Sequence, residues 1–232
     1  MCGRFSLSLT PDALSEAFGG IEIPPPPDRD RWSLPRYNIA PTQPILMMAP
    51  NPVWARWSLT PPSQPPLINV RSETAFTRPS FKTAASRRRA LVPADGFYEW
   101  RRVGSRRLPY HFRPSEDGIW TFAAIYHQYT QENGNGWMGA AVLTTAPNRS
   151  VSELHDRMPV VIPASGRARW LDSAVQERGL LDDLLKAIPD SAMLRQRVHP
   201  NVNSSAHDAP DCLSPVDDDP PPVVSRQLDF EW

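Results

Sequence analysis

Two apolar-rich runs, residues 119–129 and 137–145, flank the tetrapeptide Asn133-Gly134-Asn135-Gly136. No other stretch restricts the fold as tightly. Asn-Gly steps take up the positive φ that a tight hairpin demands, so strands joined this way run antiparallel. Other segments carry the same signature. Residues 44–49 and 53–59 read as strands around the turn Pro50-Asn51-Pro52, and residues 90–100 and 108–113 as strands around the turn at Gly104. Pro24 to Pro27 form a rigid connector that no sheet interior admits, and Pro-Pro-Ser-Gln-Pro-Pro (61–66) is a stiff loop delivering Leu67-Ile68-Asn69. Helices are short. Thr10-Pro11 opens one with Ala13, Leu14, Ala17 and Phe18 on one face, and Gly19-Gly20 ends it. A second, after Pro147, contains Ser152 to His155 and leads into an apolar strand from Met158 to Ile162. Leu180, Leu181, Leu184, Leu185 and Ile188 have the spacing of a helical face. This pattern predicts a strand-rich α+β chain.

With 232 residues, 40% hydrophobic and 9% aromatic, the chain can bury one sizeable core. It reads as a single domain over 1–232, polar and proline-rich from Pro189. Its Pro/Asp-rich tail starts at about 205, and Asp217 to Pro222 is expected to be disordered. No run approaches the ~20 apolar residues of a membrane span, and the opening Met-Cys-Gly-Arg-Phe does not read as a signal peptide. The expectation is a cytoplasmic monomer in which Cys2 and Cys212 are reduced. The net charge is zero, yet residues 1–113 hold 16 Lys+Arg against 8 Asp+Glu, and the remainder 9 against 17. Such asymmetry fits a basic face on the first half. Only Lys82 and Lys186 are lysines, so a general bias toward Arg accounts for much of the excess.

Cys2 is the residue with the most distinctive chemistry. Removal of Met1 would leave an α-amine (pKa ~8) and a thiol (pKa ~8.5) on one residue, both with reactive fractions at neutral pH. A 1,2-aminothiol condenses with an aldehyde: the amine forms a Schiff base, and the thiol closes onto it as a thiazolidine. An inert small residue is the usual explanation of an isolated Met-Cys. Asn69 can hold a nucleophile in place or merely cap a loop. Arg71, two residues on, shares its face if the segment is extended. Glu99, within Asp-Gly-Phe-Tyr-Glu-Trp, is either an exposed strand carboxylate or a buried one able to exchange protons at neutral pH. His155 suits acid–base work, with His111, His127, His199 and His207 as competitors. No Cys/His spacing suggests a metal and no phosphate-binding glycine loop is present, so no cofactor is expected.

Five motifs occur in order: Met-Cys-Gly-Arg-Phe (1–5), Tyr-Asn-Ile-Ala-Pro-Thr (37–42), Asn-Val-Arg-Ser-Glu-Thr (69–74), Pro-Ala-Asp-Gly-Phe-Tyr-Glu-Trp (93–100) and His-Asp-Arg-Met-Pro (155–159). As a set they closely resemble the SOS-response-associated peptidase (SRAP) family of abasic-site processing proteins, from residue 1 to about 165. The resemblance implies one mixed domain built around a barrel-like, largely antiparallel sheet with peripheral helices and a DNA groove. It also implies a nucleophile at Cys2, a positioning amide at Asn69, an acid–base carboxylate at Glu99 and a catalytic histidine at His155. DNA contacts would fall on Arg4 and Arg71, with Asn38, Pro41 and Trp57. The implied activity is autocatalytic loss of Met1, followed by a slowly reversible crosslink to abasic sites in single-stranded DNA, shielding the lesion during the damage response. The protein would then be nucleoid-associated when DNA-bound.

The chain departs from the family pattern twice. The family's Trp-Gly-Leu-x-Pro-x-Trp reads Trp57-Ser-Leu-Thr-Pro-Pro-Ser63 here, so the second tryptophan is missing and the following loop is shortened. The C-terminal Val-Ser-x-x-Val-Asn survives only as Val198-His-Pro-Asn-Val-Asn203. Three rivals remain at this level: an N-terminal-nucleophile amidotransferase, which also begins Met-Cys-Gly; a peptidase acting on other proteins; and a non-catalytic single-strand-binding module.

Overall fold

The structure is a computed structural model that describes residues 2–130 and 136–216. Its strands and helices follow in the order β1 (Phe5–Leu7), α1 (Pro11–Ala17), β2 (Arg36–Ile39), β3 (Pro44–Ala49), β4 (Asn51–Trp57), β5 (Asn69–Arg71), α2 (Ser72–Ala75), α3 (Pro79–Arg87), β6 (Arg89–Ala94), β7 (Gly96–Val103), β8 (Arg106–Pro114), β9 (Trp120–Thr130), β10 (Gly136–Thr145), α4 (Arg149–Ser152), β11 (Met158–Pro159), α5 (Arg167–Leu171) and β12 (Met193–Arg197).

β9 and β10 pair antiparallel as the hairpin signal requires, with Gly136 opposite Thr130 and Val142 opposite Ala124. Residues 133–135 of the expected turn lie outside the described residues. β10 then closes a barrel, because its other edge pairs parallel with β4 at Gly139 and Ala140. From β4 the ring continues antiparallel through β3, β6 and β9 back to β10. Closure leaves no free edge along those five strands. Past the parallel pairing, β10 takes β5 as its neighbour, with Asn69 opposite Val142 and Arg71 opposite Thr144.

β11 adds to β10 antiparallel, and the remaining five strands make an antiparallel sheet in the order β12-β8-β7-β1-β2. Residues 90–100, expected as one strand, are two. The chain breaks at Asp95, and β6 belongs to the barrel while β7 belongs to the sheet. Asp95 makes the corner by accepting from the Ser8 hydroxyl at 2.6 Å, as well as from Ser8 N–H and the Ser6 hydroxyl. Core aromatics come from both layers. Phe5 meets Trp57 edge-on at 5.0 Å and Phe122 at 6.0 Å, while Phe97 stacks on Phe112 at 5.0 Å. Such contacts add specific geometry to a large apolar burial.

α1 forms where Thr10 and Pro11 predict it. The Thr10 hydroxyl accepts from Ala13 N–H, Leu14 is buried, and Gly19 and Gly20 take φ of +77° and +83° to end it. Other expectations need correction. Leu181, Leu184 and Leu185 are buried, but on a 3-10 turn over Arg178–Leu181 and the turns after it, and Leu180 is exposed. An apolar anchor every third or fourth residue does not require a regular helix. Residues 205–216, placed in the polar tail by their composition, are packed against β2. Asp208 accepts from Arg36 Nε and from the Tyr37 and Asn38 N–H groups at 2.6–2.9 Å, and Cys212 is buried. Asp217 to Pro222 lies outside the described residues. Among the described residues, no helix is long and apolar enough to cross a membrane.

Candidate active site

Cys2 precedes β1 and is 1% exposed. Its thiol faces the Arg4 carbonyl at 3.8 Å, and its own carbonyl accepts from Asn69 Nδ2 at 2.8 Å. That second contact spans 67 positions in the chain. It exists because β5 runs beside β10 at the barrel rim, where β1 passes. Burial pushes the Cys2 thiol well above its ordinary value, and the nearby Glu99 carboxylate pushes it further. The thiol is therefore protonated at neutral pH and needs a base before it can react.

Glu99, on β7, is 4% exposed. Desolvation raises its carboxyl to about 8, with Asp156 adding to the rise and the amino terminus opposing it. Of the two sequence-level readings, the buried one is the structure's. Glu99 Oε1 and Asn69 Oδ1 are buried acceptors with no hydrogen-bond partner among the described residues. Two unpartnered buried oxygens at one site are unusual in a folded interior.

His155 was expected on a short helix, but α4 ends at Ser152. The histidine hangs just beyond, with its N–H on the Val151 carbonyl at 2.9 Å. Burial first, then the positive amino terminus, hold the ring below its ordinary pKa. A neutral ring agrees with the backbone, since Arg157 N–H donates to Nδ1 at 3.0 Å and so leaves the proton on Nε2. The Asp156 carboxylate is also 2.9 Å from Nδ1, a contact that becomes an ion pair only if the ring is protonated.

Glu99 and His155 line one pocket of about 340 Å³, together with Gly3, Arg4, Pro41 and Trp100. Arg102 and Arg107, cross-strand partners on β7 and β8, complete its wall. Neither arginine was singled out from the sequence, although a run of basic residues beside Glu99 signalled them. Trp100 is held by Asn203, which accepts from the indole N–H at 2.6 Å, and the Arg107 guanidinium lies 5.0 Å from the ring. The faint Val-Asn echo at the C-terminus is thus a brace for this wall. Arg157 was also missed. Its guanidinium forks onto Glu73 at 2.7 and 2.8 Å and reaches the Thr144 carbonyl at 2.6 Å, tying the histidine segment to α2 and β10. Both residues lie inside quoted motifs, but no spacing reveals a pair 84 positions apart.

The residues expected on the DNA separate into two groups. Arg4 and Pro41 line the pocket, and Arg71 is exposed at the end of β5. Trp57 and Asn38 are buried and present no surface to a nucleic acid. The Trp57 indole donates to the Ile68 carbonyl at 3.0 Å inside the core. Asn38 accepts from Arg4 Nη1 at 2.6 Å and donates to the carbonyls of Ser204 and His207. It positions Arg4 instead of touching a ligand. His207, Asp211 and Cys212 gather metal-ligating atoms within 4.8 Å of one another. They already satisfy each other: His207 Nε2 is 2.7 Å from Asp211, and the Cys212 thiol faces the His207 carbonyl.

A family model described as SOS response associated peptidase (SRAP) matches residues 1–205, which includes every pocket residue named above. The chain belongs to the SRAP family. It is 30% identical to abasic site processing protein YoqW of Bacillus subtilis over 225 residues, covering 92% of this chain and 99% of that one. It is 33% identical to abasic site processing protein YedK of Escherichia coli over 181 residues, covering 74% and 79%. Against abasic site processing protein HMCES of Rattus norvegicus the identity is 28% over 295 residues, covering 100% and 82%. A crystal structure of a protein from Bacteroides thetaiotaomicron shares the SRAP fold seen here, with a TM-score of 0.77 at 20% identity over 93% of this chain and all of that one.

Proposed function

We propose that this chain captures abasic sites in single-stranded DNA through a thiazolidine on Cys2, formed once Met1 has been removed. The observation that carries the reading is convergence: Cys2, held by Asn69, lies beside a buried carboxyl and a neutral imidazole that share an arginine-walled pocket. The relatives' names, abasic site processing protein, supply the substrate class.

The chemistry balances without a redox partner. Hydrolysis of the Met1–Cys2 peptide bond consumes one water and frees the Cys2 amine, the autopeptidase step. The closed abasic sugar opens as its C1′–O4′ bond breaks: neutral His155, in the pocket, takes the hemiacetal hydroxyl proton, and the leaving ring oxygen receives a proton back from the imidazolium. The amine attacks the resulting aldehyde carbon. The carbinolamine then loses its hydroxyl as water, with the proton coming from Glu99, which is largely protonated below about pH 8. The Glu99 carboxylate left behind takes the thiol proton as sulfur adds to the iminium carbon, and the nitrogen keeps its proton as the ring amine. One water leaves overall, and the same groups serve the reverse reaction. Arg4, Arg71, Arg102 and Arg107 offer the flanking phosphates planar donors.

Mixing the purified protein with oligonucleotides and resolving the products on a denaturing gel tests the proposal. A stable band is expected with an abasic strand, and none with an intact strand or one whose abasic aldehyde has been reduced. Cys2→Ala should abolish it, and intact mass should show Met1 absent from the reactive form. Equal crosslinking by a Met1-retaining form, or by the reduced sugar, would overturn the thiazolidine.

A further inference from the structure

A second and larger pocket, about 540 Å³, lies beside the reactive one and takes no part in the chemistry above. Its walls include three indoles, Trp32, Trp54 and Trp137, together with Thr42, Arg56 and Pro62. Each indole is fixed by its own contact. Trp54 Nε1 donates to the Pro24 carbonyl at 2.8 Å, and Trp137 is stacked on Tyr129 at 4.4 Å between centroids and 14° between planes. Trp32 has the Arg31 and Arg36 guanidinium groups at 4.7 and 4.8 Å from its ring. Rigid aromatic walls lose little entropy when a flat ligand enters. We infer that this pocket receives an unpaired nucleobase from the strand held at Cys2.

Three observations favour a base over other occupants of an aromatic pocket. Arg56 in the wall and Arg31 beside it disfavour a cationic ligand and suit one attached to phosphates, whereas Arg36 is already paired with Asp208. Asp28 also lines the pocket, where its carboxylate accepts from Arg31 N–H at 3.3 Å. Consecutive residues join the two pockets, since Pro41 lines the reactive one and Thr42 the aromatic one, one peptide unit (~3.8 Å) apart. The two pockets therefore border one another at the Pro41–Thr42 backbone. Finally, Pro62 in the wall adjoins Ser63, where the second tryptophan of the family pattern is missing. Trp32, Trp54 and Trp137 come from other parts of the chain and supply an aromatic surface next to that gap. Bases in a duplex are already paired and stacked, so such a pocket selects a single strand.

This inference rests on the proposed capture of abasic DNA, and the test separates the two. Binding of Cys2→Ala protein to single strands is measured by fluorescence anisotropy, with a base-free spacer moved one nucleotide at a time along the strand. One spacer position should weaken binding by about 5- to 150-fold, the equivalent of a ~1–3 kcal/mol base–aromatic stack. Trp137→Ala should lower affinity for the unmodified strand by a similar factor and abolish the effect of the spacer, while Trp137→Phe restores both. Melting curves of both variants exclude unfolding as the cause. Uniform affinity for every spacer strand, with Trp137→Ala binding as the parent does, would assign the pocket to another occupant, such as a proline-rich peptide, and overturn the inference. Loss of abasic crosslinking by the unaltered chain would instead sink the capture reading and leave the spacer result to stand by itself.

Discussion

Glu99→Gln should stabilise the protein, and by more as the pH rises. In the fold the carboxyl titrates near 8, against an ordinary 4.5, chiefly because burial disfavours its charged form. Below about pH 4.5 the folded and unfolded chains both carry the proton, and the difference in stability vanishes. Between 4.5 and 8 the unfolded chain releases it while the folded chain retains it, so the folded state binds more protons and stability falls with rising pH. At ~1.4 kcal/mol per pH unit this handicap reaches about 3 kcal/mol at pH 7 and about 5 above pH 8. Glutamine cannot ionise, but it still buries an amide whose hydrogen bonds are incomplete. About 1–3 kcal/mol of that is therefore the realistic gain at neutral pH. Urea denaturation of both proteins at several values from near pH 5 to near pH 9 measures the difference, and the other titrating groups cancel in it. The gain should be smallest at the acid end, grow through neutrality and level off above 8. A difference that does not vary with pH would refute the buried, proton-holding carboxyl and with it the acid–base role built on it.

Three further outcomes follow from the same geometry. Arg71→Ala should weaken binding to damaged and undamaged single strands alike and reduce the slope of log affinity against log salt by about one; an unchanged slope would remove Arg71 from the DNA path. His155→Ala should leave strand affinity intact while slowing crosslink formation by ~10²-fold or more in timed gels; unaltered rates would make the histidine structural. Gly96→Ala should cost at least ~2 kcal/mol in a thermal melt, because a methyl there meets the His111 imidazole and lies 2.5 Å from the Phe112 carbonyl; a normal melting temperature would contradict the close approach of β7 to β8.

Local chemistry was legible from the sequence wherever short-range physics decides it. The cap at Thr10, the glycine stop at 19–20, the paired strands β9 and β10, and the aminothiol potential of Cys2 each depend on neighbours within a few positions. The ordered motifs also identified the family, because five segments in the right sequence are rarely assembled by chance. What the residues could not reveal is which of two environments each would meet. Glu99 reads equally well as an exposed or a buried strand carboxylate until β7 is packed against β1 and β8, and that burial alone moves its proton into the neutral range. Trp57 and Asn38 lie in motifs like those around Cys2 and His155, yet tertiary packing directs the indole into the core and the amide onto Arg4. Residues 205–216 look like a tail because they are polar, and they are held because Asp208 finds three donors on β2 some 170 positions away. Period and capping act along the chain and can be read there, whereas desolvation and charge pairing act across it and exist only once the fold has brought distant segments together.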